Sequence, residues 1–278
     1  MKRKKVLSLC IALALAAGSL AACGNATPSA SEAAAASTVR VSGSTSVFPL
    51  LDALKDMFMA GHPDIRVQVE QGGSGVGIKN VRDGIVDIGM SSRNLKDEEK
   101  PMVETTLCLD GIAVIVHKDN PVDDLSARQI ASIYRGEVTN WKAVGGKDAK
   151  ITLITREPTS GTRGAFEELI LDEEKIDDTR CLVQNSTGNA ASSVENDPNA
   201  IAYISLGVVA NYPNLKAVQF DGVKASADNV KNGTYSIARP FLLLTRDEPA
   251  GAVKTFLDYV TGDYEARDFI EKEHYILK

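Results

Sequence analysis

Several stretches of this chain repeat one pattern: an apolar run of strand character ends in a cluster of hydroxyls and then enters a segment with helical spacing. TVRVSG (38–43) runs into Ser42, Ser44, Thr45 and Ser46; IRVQVEQ (65–71) into Ser74 among glycines; VDIGM (86–90) into Ser91 and Ser92; ITLIT (151–155) into Thr159, Ser160 and Thr162. Ile65, Val67 and Val69 alternate as a strand requires. Leu50, Leu51, Leu54, Met57 and Phe58 fall on one helical face, behind a Pro49 that suits a first helical turn. Further strands are expected at 112–118 (IAVIVHK), 181–185 (CLVQN), 201–205 (IAYIS) and 240–245 (PFLLLT). Ser126 and Gln129 form a capping box ahead of Ile130, Ile133 and Tyr134, and two helices near 250–260 and 263–273 close the chain. Strand and helix in alternation predict an α/β protein with mostly parallel sheets, and ligands in such folds lie beyond the carboxyl ends of the strands. The hydroxyls stand at those ends.

The stretch TREPTSGTRG (155–164) adds charge to the pattern. A helix start presents unpaired N–H groups and a partial positive charge, which suits an anion. Arg156 offers a planar fork that grips two oxygens, and Gly161 allows close backbone approach. Taken alone, the stretch is equally compatible with Ser160 as a simple helix cap beside solvated arginines. Hydroxyl clusters at four strand ends together with an arginine predict the wall of one desolvated oxyanion site.

Other chemistries fit the residues poorly. QGGSGVGIK (71–79) lacks the Gly-Lys-Ser/Thr ending of a phosphate loop, because Ile78 separates Gly77 from Lys79. Gly72 to Val76 misses the Gly-x-Ser-x-Gly elbow at Val76. His62, His117 and His274, the only histidines, sit in a turn, an apolar strand and the last helix, so no general base and no metal cluster is expected. Acidic groups such as Asp97-Glu98-Glu99 read as a solvated face. With 31 basic and 37 acidic residues the net charge is −6, the opposite of a nucleic-acid binder.

The chain opens MKRKK, continues with the short apolar run VLSLCIALALAAGSL and reaches Leu20-Ala21-Ala22-Cys23. That order describes a secretory signal too short to span a membrane. Its ending resembles the lipobox of bacterial lipoproteins, which implies a signal peptide at 1–22 and a lipidated Cys23 as the membrane anchor. Residues 24–37, GNATPSASEAAAAS, read as a flexible tether. Losing Lys2, Arg3, Lys4 and Lys5 with the signal makes the mature chain four charges more negative. Cys108 and Cys181 remain; an exported context permits a disulfide, and their apolar surroundings permit two buried thiols.

VSGSTSVFPL, GGSGVGI, VDIGMSSR, IYRGEVTNW, TREPTSGT and RPFLLLT, in this order from about Val39 to the C-terminus, resemble the phosphate-binding lipoproteins of bacterial high-affinity phosphate ABC transporters, the Pst type. The resemblance implies a type II periplasmic-binding-protein fold, two α/β lobes joined by two hinge strands: lobe 1 at 38–114 plus 240–278, lobe 2 at 115–239, with IAVIVHK and ARPFLLL as the crossings. It implies no catalysis and no cofactor. Its expected phosphate ligands are Ser44, Thr45, Ser46 and the amide of Phe48, Ser74, Ser92, Arg156, Ser160, Gly161 and Thr162. Glu157 would orient the arginine, and Asn185 to Asn189 would add an outer rim. The implied partners are inorganic phosphate and ABC permease subunits, with the protein a monomer held at the extracytoplasmic face of the cell membrane.

Many members of that family carry an aspartate where this chain has Ser92, and it accepts the hydrogen of monohydrogen phosphate. A hydroxyl accepts or donates, so phosphate still fits, but the charge that repels fully ionised sulfate is missing. Asp87, two residues before Gly89, is expected to point elsewhere. Another tetrahedral oxyanion (sulfate, molybdate, tungstate) is the rival ligand, and a phosphoester hydrolase the rival class.

Overall fold

The computed structural model describes residues 37–277. The expected signal peptide (1–22), the expected lipid-bearing Cys23 and nearly all of the expected tether (24–37) lie outside the described residues. The first elements are β1 (Ser37–Gly43), α1 (Phe48–Gly61), β2 (Ile65–Gln71), α2 (Ser74–Arg82) and β3 (Ile88–Ser91), followed by the long β4 (Val103–His117). Then come β5 (Asp124–Leu125), α3 (Ala127–Tyr134), β6 (Thr152–Arg156), α4 (Gly161–Ile170), β7 (Leu182–Gln184), α5 (Thr187–Glu195) and β8 (Ala200–Ser205). The chain ends with β9 (Leu215–Ala217), β10 (Gln219–Phe220), α6 (Ala227–Lys231), β11 (Ala238–Thr245), α7 (Gly251–Gly262) and α8 (Tyr264–Lys272).

One continuous sheet runs in the order β2-β1-β3-β11-β4-β8-β6-β7, with β9 also on β4. It is mixed, which corrects the expectation of mostly parallel pairing. β1 pairs in parallel with β2 and β3, and β6 with β7 and β8, but β11 and β4 run antiparallel to each other and to their outer neighbours β3 and β8. The cause is the double crossing: a strand that leaves one lobe must enter the other in the opposite sense to the strand that returns. β4 serves both lobes, pairing with β11 from Val103 to Gly111 and with β8 from Ile112 to Val116. It begins nine residues before the strand expected at Ile112, because Asp110-Gly111, which reads as a turn signal, lies within it.

The crossing strands are apolar on both faces because both faces are covered. Ile112, Val114 and Val116 join a core with Ile130, Tyr134 and Phe166, while Ala113 and Ile115 face Ala190, Ala191 and Val194 of α5. On β11, Phe241 and Leu243 face α1, α7 and α8, while Leu242 and Leu244 face Ile78 of α2. α1 starts with Pro49 in its first turn and buries Leu50, Leu51, Leu54 and Phe58, with Met57 at the margin. Each such side chain contributes about 1.5–3 kcal/mol by leaving water, so a charge at Leu54 would detach the helix. The Ser126–Gln129 capping box forms as the spacing predicts.

Cys108 and Cys181 are free, which settles the open alternative. Cys108 is buried in the core of β1 and α1, and Cys181 is half-buried against that of α3 and α4. Burial pushes the Cys108 thiol well up and Cys181 to about 11.

Candidate oxyanion site

The carboxyl ends of β1, β2, β3 and β6 converge, and with them the hydroxyls. Ser44, Thr45 and Ser46 form the turn between β1 and α1; Ser44 Oγ accepts from the amides of Ser46 (3.2 Å) and Val47 (3.3 Å) and donates to Ser92 Oγ at 2.9 Å. Ser74 opens α2 behind Gly73, whose φ of +85° is open to glycine at little cost. Its Oγ accepts from the Ser92 amide at 3.0 Å and lies 3.4 Å from Ser92 Oγ. Ser46 Oγ is 2.8 Å from Thr162 Oγ1, so hydroxyls of the β1–α1 turn and of α4 meet across the cleft. A second crossing is made by backbone: the Gly75 amide donates to the Thr159 carbonyl at 2.9 Å.

Arg156, at the end of β6, is only 1% exposed, so the reading of a solvated arginine fails for it. Its Nε and Nη2 donate to the two carboxylate oxygens of Glu157, each at 2.9 Å, which locks the fork. The remaining donors point at hydroxyls from both lobes: Nη2 to Thr45 Oγ1 at 3.0 Å and Nη1 to Thr187 Oγ1 at 3.2 Å. Ser160 does cap α4, accepting from the Arg163 amide at 3.3 Å, and this leaves the Gly161 and Thr162 amides in the first turn where a helix has no acceptors of its own. A Cβ at Gly161 would overlap Ser74 Oγ and stand 2.7 Å from Ser92 Oγ, so glycine there permits the two lobes to touch.

Of the expected ligands, Ser44, Thr45, Ser46, Ser74, Ser92, Arg156, Ser160, Gly161 and Thr162 are all buried in this one cluster, and Glu157 stands on the arginine. The Phe48 amide donates to the Ser44 carbonyl at 3.1 Å and closes the first turn of α1 instead of standing free. Asn185 and Asn189 are exposed and bonded to each other. Asp87 pairs with Arg40 outside the cluster. The histidines are elsewhere: His62 stacks on Phe58, His117 Nδ1 accepts from the Asp119 amide, and His274, expected in the last helix, is exposed in the turn just beyond α8. Among the described residues no group of three or more His, Cys, Asp or Glu could hold a metal.

Sequence reasoning missed the centrality of Thr187. It is buried, not peripheral: its Oγ1 lies 3.1 Å from Thr45 Oγ1 and 2.9 Å from Ser46 Oγ, and its amide donates to Thr45 at 3.1 Å. The signal was available, since QNSTGN (184–189) repeats the hydroxyl-and-glycine strand end of the other joints. Arg163 was missed too. It buries its guanidinium beneath the site, donating to the Arg156 carbonyl (2.9 Å), Glu167 (2.8 Å), Asp178 (2.6 Å) and the Ile176 carbonyl (2.9 Å). Burial works to raise the Glu167 carboxyl, but Arg163, Lys175 and the Ile176 amide hold it below its ordinary value. Tyr203 hydrogen-bonds Thr155 Oγ1 at 2.7 Å, and burial pushes its hydroxyl far up, so it stays protonated.

The arrangement presents one fixed guanidinium, first-turn amides and a ring of hydroxyls that donate or accept. Glu157, the carboxylate against the arginine, is committed on both oxygens. Such a set suits an anion rich in acceptor oxygens.

Two lobes on a shared sheet with a donor-lined cleft define the class of periplasmic-type solute-binding proteins, and residues 28–264 match the PBP superfamily domain. The phosphate-binding protein PstS of Bacillus subtilis (strain 168) is 33% identical over 287 residues, covering 99% of this chain and 94% of the relative. A crystal structure of a putative phosphate ABC transporter substrate-binding protein with bound phosphate, from Clostridium perfringens, is 41% identical with a TM-score of 0.82 over 87% of this chain and 99% of that one. An ABC-type phosphate transport receptor from Vibrio cholerae is 37% identical with a TM-score of 0.72, over 87% and 100%. The chain belongs to the Pst-type family of phosphate-binding proteins, which are binding components of transport systems and not enzymes.

Proposed function

We propose that this protein captures inorganic phosphate outside the cytoplasm and delivers it to the permease subunits of an ABC transporter. The observation that carries the reading is Arg156: a guanidinium buried to 1% exposure, locked by Glu157, whose remaining donors reach the hydroxyls of Thr45 and Thr187 on opposite lobes. A buried cation aimed at hydroxyls has a use if an anion shares it, because amides, hydroxyls and guanidinium together replace the anion's hydration shell. The names of the relatives agree with phosphate as that anion.

The ligands in this reading are Ser44, Thr45, Ser46, Ser74, Ser92, Arg156, Ser160, Gly161 and Thr162, with Thr187 added and Glu157 as the orienting acid. Residues 38–114 with 240–278 and residues 115–239 act as the two lobes, closing as one ligand binds both. Residues 1–22 are removed as a signal peptide. A lipid on Cys23 holds the monomer at the membrane through a tether whose root-mean-square span is about 20 Å for a flexible chain of its length.

Thermal denaturation with phosphate, sulfate, molybdate or tungstate tests the reading. A ligand at a hundredfold excess over its Kd adds ~2.7 kcal/mol. Phosphate is expected to raise the midpoint at the lowest concentration; a larger shift from another oxyanion would reassign the ligand.

A further inference from the structure

Asp110 and Arg239 form an ion pair that is 1% and 3% exposed, at the point where the two crossing strands part. They are register partners on β4 and β11, one residue before β4 exchanges β11 for β8. Arg239 Nη2 and Nε lie 3.0 and 3.3 Å from Asp110 Oδ2. Asp110 Oδ1 accepts at 2.9 Å from Oγ of Ser205, the last residue of β8, and at 3.4 Å from the Gly207 amide in the turn that follows it. Arg239 Nη1 donates to the Ser92 carbonyl at 3.1 Å, and the guanidinium lies 5.4 Å from the centre of the Phe241 ring.

A buried ion pair is weak as a stabilising device, since an apolar pair of the same volume in a strand centre is commonly as stable or more so. Burial presses the Asp110 carboxyl up and the Arg239 guanidinium down against their mutual attraction. What the pair adds is geometry. Ser92 is held on three sides: its hydroxyl by Ser44, its amide by Ser74 and its carbonyl by Arg239. The third hold comes from the hinge and not from the anion cluster.

We propose that Arg239, fixed by Asp110, is a positioning residue that sets the Ser92 hydroxyl for the oxyanion and ties the Ser91–Arg93 loop to the hinge. The inference rests on the reading of the hydroxyl cluster as the phosphate site. It predicts that the site loses affinity when the pair is replaced by neutral groups, even though no ligand contact has been touched and no charge is left buried.

The test is calorimetry of phosphate on the wild type, on the double variant Arg239→Met with Asp110→Asn, and on Arg239→Lys, with hydrogen exchange of the Ser91–Arg93 amides in each. The double variant is expected to fold and to bind phosphate about tenfold more weakly, with faster exchange in that loop and unchanged exchange in β6 and β7. Arg239→Lys keeps the charge but not the planar fork, and should fall between the two. A folded double variant that binds within about twofold of wild type, with an unaltered loop, overturns the proposal. If the double variant does not fold, Arg239→Lys decides by the same two readouts. If the wild type binds no phosphate, the functional reading fails, and the exchange data still decide whether Arg239 holds Ser92.

Discussion

Arg156→Ala removes more than a cation. In the native cleft the guanidinium satisfies both oxygens of Glu157 and reaches Thr45 and Thr187 with its remaining donors. The variant takes from phosphate a charged hydrogen-bonding partner, which costs about 1.5–3 kcal/mol. It also leaves the Glu157 carboxylate without its counter-ion; at about 5 Å and an effective dielectric of about 20, repulsion of the anion adds about 3 kcal/mol per unit charge. For a singly charged anion the combined loss is about 4.5–6 kcal/mol, or three to four orders of magnitude in Kd, and it is larger for monohydrogen phosphate. Only the second part depends on Glu157. The double variant Arg156→Ala, Glu157→Ala should therefore bind phosphate more tightly than the single one while staying well below wild type. Titration calorimetry on the three proteins, with circular dichroism to show that each is folded, measures this. A single variant within about threefold of wild type would refute the placement of the anion on Arg156, and a double variant weaker than the single would refute the role given to Glu157.

Ser92→Asp should weaken sulfate more than phosphate by at least ~1.4 kcal/mol at neutral pH, because a carboxylate there repels an acceptor-only anion but accepts the hydrogen of monohydrogen phosphate; equal losses in calorimetry would mean that Ser92 does not touch the ligand. Cys23→Ser should abolish metabolic labelling by a fatty acid and release the protein from the membrane fraction, whereas label retained in the variant would refute the anchor. Glu167→Gln breaks a buried pair with Arg163 and should cost about 3 kcal/mol at pH 7. Because the folded-state carboxyl of Glu167 lies below its unfolded value, that contribution is present above about pH 4 and is lost as pH falls through the folded value, so the gap in urea stability should narrow at about pH 3; a gap of equal size at both pH values would contradict this.

The parts of the site that were legible in the sequence are the local ones. A strand end followed by hydroxyls and a helix start is written in a few consecutive residues, so Ser44 to Ser46, Ser74, Ser92 and Ser160 to Thr162 could be gathered without coordinates. The face of α1 and the Ser126 capping box follow from helical spacing in the same way. Strand direction does not: whether β11 runs with or against β3 depends on a crossing about 150 residues long, so the mixed pairing is set by tertiary topology and not by local pattern. The first half of β4 was obscured by Asp110-Gly111, which carries a turn's composition but is consumed by a cross-strand pair with Arg239, 129 residues away. Thr187 was misplaced to the rim for a different reason. β7 is only three residues long, too short for its alternation to announce that the joint after it returns to the cleft.

The central claim is that the buried hydroxyl cluster around Arg156 holds one phosphate. Its most direct test is the phosphate content of the protein purified without added phosphate, released by acid and quantified against protein by mass balance, in wild type and Arg156→Ala side by side. The account predicts close to one phosphate per wild-type chain and almost none in the variant. Equal content in the two proteins, or sulfate in place of phosphate in the wild type, would contradict it.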